Sequence, residues 1–215
     1  QQEDATSDDI EIAGCKDCVI YVLAKMAVLR LVDLTSCRVF CGPVGGSLYL
    51  EGCRNSVVMA AAHQARIHHA HRVDFYLRTR SYPIIEKCSE VRFAPYAFSF
   101  EGRDAALERE KLSEENDLWS DVKDFGWLKS TQSPNWTVLP QDQRVEIAWC
   151  FGTRTSQPSG TGFDSRPPKT RGSVSPCPRV LSAPKIAPQG FFRSQKMCFV
   201  RKAKEVRVPI TAGFL

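Results

Sequence analysis

Apolar and polar positions along the first ninety residues follow a repeat. Each unit has a branched aliphatic residue, two spacers and then a small apolar residue. The five units are Ile12-x-x-Cys15, Leu34-x-x-Cys37, Leu50-x-x-Cys53, Ile67-x-x-Ala70 and Ile85-x-x-Cys88, with successive steps of 22, 16, 17 and 18 residues. No 3.6-residue helical period persists across this stretch. It contains instead short runs in which apolar and polar residues alternate, and these runs are rich in Val, Ile, Tyr and Phe. The pattern therefore predicts a series of short β-strands.

A step near 17 residues is too short for a helical hairpin repeat or a propeller blade. It fits one coil of a parallel β-helix, in which stacked coils bury an inward face that no single coil could bury alone. The small Cys and Ala positions are then expected to stack inside the coil, where a free Cys packs as a compact hydrophobic residue. The cluster of glycines around Pro43 is expected to form a coil corner. The predicted fold class is all-β.

The sequence changes character near Glu101. Residues 105–112 and 114–122 are charged with spaced apolar positions, which predicts one or two short surface helices. An aromatic segment follows, and we expect it to pack on an end or side of the solenoid and shield an edge: Phe125, Trp127, Leu128 and Trp136. The predicted organisation is an acidic flexible N-terminus (1–11), one solenoid domain with its extension (12–147), and a basic Pro/Ser-rich disordered tail (148–215).

Charge and composition narrow the class of function. The net charge of +5 divides into −5 for residues 1–149 and +10 for residues 150–215, so the basic character belongs to the tail and gives no reason to expect a nucleic-acid partner. No apolar run is long enough to span a bilayer. The odd count of nine cysteines and the lack of a signal-peptide pattern at residue 1 predict free thiols in a cytosolic protein that works away from membranes.

The four histidines fall within nine positions, at 63, 68, 69 and 71. One interpretation is a metal site, although strand alternation would place His69 and His71 on one face and His68 on the other. A second interpretation is structural, with polar residues on the outside of a solenoid strand. A third comes from the same alternation: Gln64, Arg66 and His68 share one face, while Ala65 and Ile67 share the other.

An arginine held outward on a rigid coil between two hydrogen-bonding neighbours has what an arginine finger requires. Such a residue enters a partner's nucleotide site and stabilises the charge that develops on the transferred phosphoryl group. The planar guanidinium offers aligned donors that Lys lacks. The chain has no phosphate loop of its own, because no Gly-Lys-Ser/Thr follows its glycine cluster, so we expect no bound nucleotide or other cofactor.

Six segments in one order carry a resemblance to a known family: residues 42–53, 63–69, 74–86, 91–96, 121–128 and 132–136. Over residues 10–147 the sequence resembles the cofactor C domain of the tubulin-folding cofactors. The resemblance implies a right-handed parallel β-helix and a GTPase-activating role, in which the chain lends a residue to its partner and hydrolyses no nucleotide itself. Arg66 matches the finger position of the Gln-x-Arg-x-His motif, with Gln64 and His68 as its supporting neighbours.

The partners that the resemblance implies are GTP-bound β-tubulin and the tubulin-folding cofactors D and E, with release of αβ-tubulin after hydrolysis. An alternative is an activator of an Arf-like small GTPase, with Arg66 unchanged in its role. A second alternative is a non-catalytic cytoskeletal binding module of the same fold. The presence of the finger arginine favours an activator over that module.

Overall fold

A computed structural model describes residues 8–149 and 196–200 of the chain. Nearly all of the described regular structure is β-strand, and every pair of strands in it is parallel. The strands are β1 (Asp8–Ala13), β2 (Cys18–Val22), β3 (Met26–Val32), β4 (Arg38–Glu51), β5 (Arg54–His68), β6 (His71–Thr79), β7 (Ile84–Glu86), β8 (Val91–Pro95), β9 (Phe98–Phe100), β10 (Lys123–Asp124), β11 (Trp136–Val138), β12 (Ile147–Trp149) and β13 (Lys196–Val200).

These strands wind into a parallel β-solenoid with two long faces, which confirms the predicted fold class. The first face runs through β13, β2, residues 38–41 of β4, residues 57–59 of β5, then β6, β8 and β11. The second face runs through β1, β3, residues 47–51 of β4, residues 64–68 of β5, then β7 and β10. The long strands β4 and β5 bend from one face to the other, so each joins two coils.

The core lies between the two faces and is built from rows of equivalent residues. One inward row of the second face is Ile12, Leu31, Leu50, Ile67 and Ile85. All five side chains are almost completely buried. Stacking of this kind removes apolar surface that each coil alone would leave in water, at roughly 25 cal/mol per Å².

The register corrects one unit of the sequence repeat. Leu31, and not Leu34, aligns with Ile12 and Leu50, so the steps between coils are 19, 19, 17 and 18 residues. Leu34 lies instead beside the small residues of the next column, between Cys15 and Cys53. Leu34 is fully buried at that position.

The corners between faces carry two left-handed residues in each coil, three positions apart. They form the pairs Gly14 and Asp17, Asp33 and Ser36, Gly52 and Asn55, His69 and Arg72, and Lys87 and Glu90, with φ between 49° and 67°. Small and polar residues tolerate this conformation best. The glycine cluster at 42–46 was expected to form a corner, and it lies within the bend of β4.

The segment after residue 96 covers the outside of the first face. The outward row of that face is apolar and buried beneath this cover: Tyr21, Phe40, Met59, Tyr76 and Ala94. The covering residues include Phe98, Leu107, Leu112 and Leu139, which form a second apolar cluster with that row. The hydroxyl of Tyr96 donates a 2.8 Å hydrogen bond to the Cys41 carbonyl and ties this cover to the solenoid.

Only part of the predicted helical structure forms. Helix α1 spans Arg103–Arg109, but residues 114–122 contain only a 3₁₀ turn, Leu118–Ser120, and a second 3₁₀ turn spans Gln141–Gln143. Trp119 and Val122 pack into the main core, which explains why this stretch does not continue as an amphipathic surface helix. In the aromatic segment Trp136 is buried as predicted, whereas Phe125 and Leu128 are 61% and 95% exposed.

Most of the predicted disordered tail lies outside the described residues. Where the structure does describe it, the chain forms strand: β12 pairs with β9, and β13 pairs with β2 at the first edge of the solenoid. These short stretches therefore depart from the expectation for residues 148–215. Within the described ranges, no helix is long and apolar enough to cross a membrane.

Candidate functional site

The outward side of the second face is polar and open, in contrast to the covered first face. One outward row runs across all six strands of the second face: Glu11, Arg30, Tyr49, Arg66, Ile84 and Lys123. Arg66 occupies the middle of this row, with Tyr49 on one neighbouring strand and Ile84 on the other. Its strand is hydrogen-bonded on both sides, so the backbone beneath the guanidinium is fixed.

The predicted alternation around Arg66 is confirmed. Gln64 and Arg66 are exposed and His68 is half-buried, while Ala65 and Ile67 are buried in the core. The Arg66 guanidinium forms no hydrogen bond or ion pair with any residue in the described part of the chain. Arg38 and Arg54 are the other described arginines of which this is true, and neither lies on the second face. The other arginines bond carboxylates or carbonyl oxygens.

The two predicted supporting residues have different surroundings. Gln64 extends outward with no hydrogen bond to a described residue. His68 lies 3.6 Å (Nδ1 to Oε2) from the Glu86 carboxylate on β7, and its ring is 5.5 Å from that of Tyr49. The structure thus places all three residues of the motif on one surface, but it shows no contact between Arg66 and either neighbour.

A polar network adjoins Arg66 on the β4 side. The Tyr49 hydroxyl donates a 2.8 Å hydrogen bond to Glu51, whose other oxygen lies 2.5 Å from Nδ1 of His69. The hydrogen bond to Glu51 raises the pKa of the Tyr49 hydroxyl. The same bond, assisted by His69, lowers the pKa of Glu51. Glu51 therefore stays ionised and its bonds hold Tyr49 in place beside Arg66.

A shallow groove of about 250 Å³ lies on the other side of Arg66. From β5 it is lined by Gln64, Ala65 and Arg66. The other lining residues come from β7, β10 and the chain beside them: Ser81, Tyr82, Ile84, Lys123 and Phe125. The groove is open to solvent, so a partner surface could reach Arg66 directly.

The four histidines do not converge on one point. His63 Nε2 is 2.7 Å from the Glu110 carbonyl oxygen, and His71 Nδ1 is 2.9 Å from the Ser89 hydroxyl, while His68 and His69 face separate carboxylates. Among the described residues, no group of three or more His, Cys, Asp and Glu side chains is arranged to hold a metal ion.

The cysteines of the repeat serve as core residues. Six cysteines are buried and form no disulfide bond: Cys15, Cys18, Cys37, Cys41, Cys53 and Cys88. Burial raises the pKa of the Cys37 thiol to about 11 and that of Cys53 to about 12. These two thiols stay protonated and unreactive at neutral pH. Cys15 and Cys18 are buried in the same core, as the stacking interpretation predicts.

Sequence reasoning missed the neighbours of Arg66 along the row. Arg30, Tyr49, Ile84 and Lys123 come from four other strands, and only the register between coils places them together. Arg30 was missed because the second unit of the repeat was aligned on Leu34 and not on Leu31. Lys123 was missed because the repeat was followed only as far as Cys88. A template counted from Leu31 would have identified Arg30.

Comparison with known proteins agrees with the geometry. Residues 7–125 match the sequence model of the family described as tubulin binding cofactor C. Tubulin-folding cofactor C of Arabidopsis thaliana is 40% identical over 150 residues, which cover 70% of this chain and 44% of that protein. Tubulin-specific chaperone C of Mus musculus is 34% identical over 148 residues, which cover 68% of this chain and 43% of that protein.

A solved structure shows the same fold. Tubulin binding cofactor C from Leishmania major superposes with a TM-score of 0.50 at 26% identity, covering 61% of this chain and 87% of that one. The described residues form a parallel β-solenoid with an outward arginine, Arg66, that has no partner among them. The chain belongs to the tubulin binding cofactor C family. It spans less than half the length of the curated relatives it matches.

Proposed function

We propose that this chain is a GTPase activator in tubulin folding, acting in trans on GTP-bound β-tubulin together with cofactors D and E. Hydrolysis would then release αβ-tubulin. The observation that carries the proposal is the state of Arg66: it is exposed and unpartnered among the described residues, and its strand is paired on both sides. The names of the relatives support tubulin as the partner.

The chemistry asked of Arg66 is electrostatic. In the transition state of phosphoryl transfer, negative charge spreads over the phosphoryl oxygens, and a guanidinium can donate two aligned hydrogen bonds to them. Insertion into a closed nucleotide site also removes water, which strengthens these interactions. A finger supplied in trans accelerates hydrolysis roughly 10³–10⁵-fold, or about 4–7 kcal/mol of transition-state stabilisation.

The surroundings of Arg66 suit this role. A guanidinium already bonded to a carboxylate would have to break that bond before entering a partner, whereas Arg66 has none to break among the described residues. Gln64 and His68 stand on the same surface and could bond the partner's loops around the nucleotide. The proposed place of action is the cytoplasm, where the buried thiols would remain reduced.

The test is GTP hydrolysis by tubulin in the presence of cofactors D and E, with this chain added as parent or variant. Arg66→Ala should remove nearly all stimulation, and Arg66→Lys should recover little of it, because Lys cannot donate in the bidentate geometry. The matched control is Arg54→Ala. Arg54 lies on the same strand, is exposed, and also lacks a partner among the described residues, but it lies at a corner away from the second face.

Full stimulation by Arg54→Ala alongside loss in Arg66→Ala, with unchanged circular dichroism, would support the proposal. Equal stimulation by the parent and Arg66→Ala would refute the finger. If the parent fails to stimulate tubulin but stimulates an Arf-like GTPase through Arg66, the mechanism stands and the proposed partner is wrong.

A further inference from the structure

The row that contains Arg66 has a regular arrangement of cations. Arg30, Arg66 and Lys123 occupy alternate strands, separated by Tyr49 and Ile84. Neighbouring strands lie about 4.8 Å apart, so each outer cation is rooted about 10 Å from Arg66 along the solenoid axis. Three positive side chains therefore stand in one line on the open face.

The two outer cations are held in the same way. The Arg30 guanidinium carbon lies 4.6 Å from the centre of the Tyr49 ring, and Arg30 pairs with Glu11 at 3.5 Å. Lys123 Nζ lies 4.5 Å from the centre of the Tyr82 ring and 2.6 Å from Asp121. Each outer cation thus has an aromatic support and one carboxylate, whereas Arg66 has neither a described ion pair nor a described ring contact.

The ion pairs of the outer cations can exchange at low cost. The side chains of Arg30, Glu11, Lys123 and Asp121 are each about half exposed. Exposed pairs of this kind contribute between zero and about 1 kcal/mol, so a carboxylate from a partner can replace the internal one. The aromatic rings would keep each charge in position during the exchange, because a cation over a ring face is attracted without a second charge.

We propose that Arg30 and Lys123 are docking cations, which bind carboxylates of the GTPase on either side of the site that Arg66 enters. This inference rests on the proposed function and assigns the surface that orients the partner. The occupant is an acidic protein surface with carboxylates about 10 Å on each side of the entry point. Complementary charges of this type accelerate and orient association, while the middle residue acts on the bound nucleotide.

The division of roles predicts a division of kinetic effects. Charge reversal by Arg30→Glu or Lys123→Glu should raise the concentration of chain that gives half-maximal stimulation by at least fivefold and leave the maximal rate within twofold. Arg66→Ala should instead abolish the maximal rate. Lys123→Arg keeps the charge and should stay close to the parent. Arg54→Glu, a reversal of equal size at the corner away from the row, is the matched control.

The experiment measures stimulated GTP hydrolysis by the tubulin assembly with cofactors D and E at 50 and 200 mM salt. It also measures binding of the chain to GTP-loaded and GDP-loaded assembly by biolayer interferometry. Both reversals should flatten the salt dependence of binding relative to the parent and to Arg54→Glu. They should weaken binding to both nucleotide forms, because the proposed contacts are carboxylates and not the γ-phosphate.

The proposal would be overturned if Arg30→Glu and Lys123→Glu gave half-maximal stimulation at the same chain concentration as Arg54→Glu. A fall in the maximal rate without a change in half-maximal concentration, or an effect confined to the GTP-loaded form, would also overturn it. If the parent stimulates no hydrolysis but binds, and the two reversals weaken that binding, the activator function fails while the docking assignment stands.

Discussion

Two glycines at equivalent corners of the solenoid allow a controlled test of how the coils are stacked. Gly14 and Gly52 have nearly the same left-handed backbone, with φ of 65° and 67°. Their surroundings differ: a Cβ at position 14 would meet nothing within 4 Å, whereas a Cβ at position 52 would lie 2.3 Å from Oδ1 of Asp33. Replacing each glycine by Ala therefore separates two contributions to the free energy of unfolding: the strain of the left-handed backbone, present at both positions, and the contact with Asp33, present only at position 52.

The expected magnitudes follow from these two terms. A left-handed conformation costs an L-residue roughly 1–2 kcal/mol. Replacing Gly by Ala also lowers the conformational entropy of the unfolded chain, which stabilises the folded protein by about 0.4–1 kcal/mol. Gly14→Ala should therefore destabilise the protein by about 1 kcal/mol. In Gly52→Ala the Asp33 carboxylate must also rotate away, which costs about 0.5–1.5 kcal/mol for a side chain forced off its rotamer. The total there is about 2 kcal/mol.

Urea denaturation followed by far-ultraviolet circular dichroism measures both changes. With an m-value of about 2 kcal/mol/M, the midpoint should fall by about 0.5 M for Gly14→Ala and about 1 M for Gly52→Ala. In an Asp33→Ala background the extra cost at position 52 should disappear, giving a coupling free energy near 1 kcal/mol in a double-mutant cycle. Equal costs at the two positions, or no coupling with Asp33, would refute the stacking of Gly52 against Asp33.

Two further predictions concern the buried groups. Tyr96→Phe should destabilise the protein by about 1–2 kcal/mol in the same denaturation assay, because it removes a buried hydrogen bond to the Cys41 carbonyl. The control, Tyr49→Phe, removes a half-exposed hydroxyl and should change stability by less than about 0.5 kcal/mol. Equal effects of the two substitutions would contradict the anchoring role of Tyr96. Peptide-resolved maleimide labelling at pH 8 should be at least about 100-fold slower at Cys37 and Cys53 in the native protein than in urea, and rapid native labelling of either residue would contradict their burial. The stability of the protein should also decline as the pH rises from about 9 towards 11. The reason is that a thiol whose pKa is raised on folding loses its stabilising contribution over this pH range.

The sequence pattern predicted the solenoid because its inward rows are chemically uniform. Ile12, Leu50, Ile67 and Ile85 share one row, and local alternation was enough to place Arg66 outward between Ala65 and Ile67. Side chains alternate between the two sides of a strand, so the pattern along one strand shows whether a residue points inward or outward without reference to the neighbouring strands.

Register between coils was harder to predict from the sequence. Leu34 was assigned to the wrong row, because a leucine there interrupts a column of Cys and Ala, and the first two coils are two residues longer than the third. The same limit hid the cation row, whose members come from different coils. Residues 114–122 read as a helix because their charges dominate the pattern, yet the burial of Trp119 and Val122 decides the local structure.

The doubly paired strand beneath Arg66 has a thermodynamic consequence for association. A finger on a free loop would lose about 1–2 kcal/mol of backbone conformational entropy for every residue that becomes ordered on binding. Here the backbone is already ordered by β4 and β7, so only the side-chain rotamers of Arg66 are restricted, at about 2 kcal/mol. In the proposed function, the solenoid would therefore meet this entropic cost during its own folding, and a partner's nucleotide site would encounter a preorganised side chain.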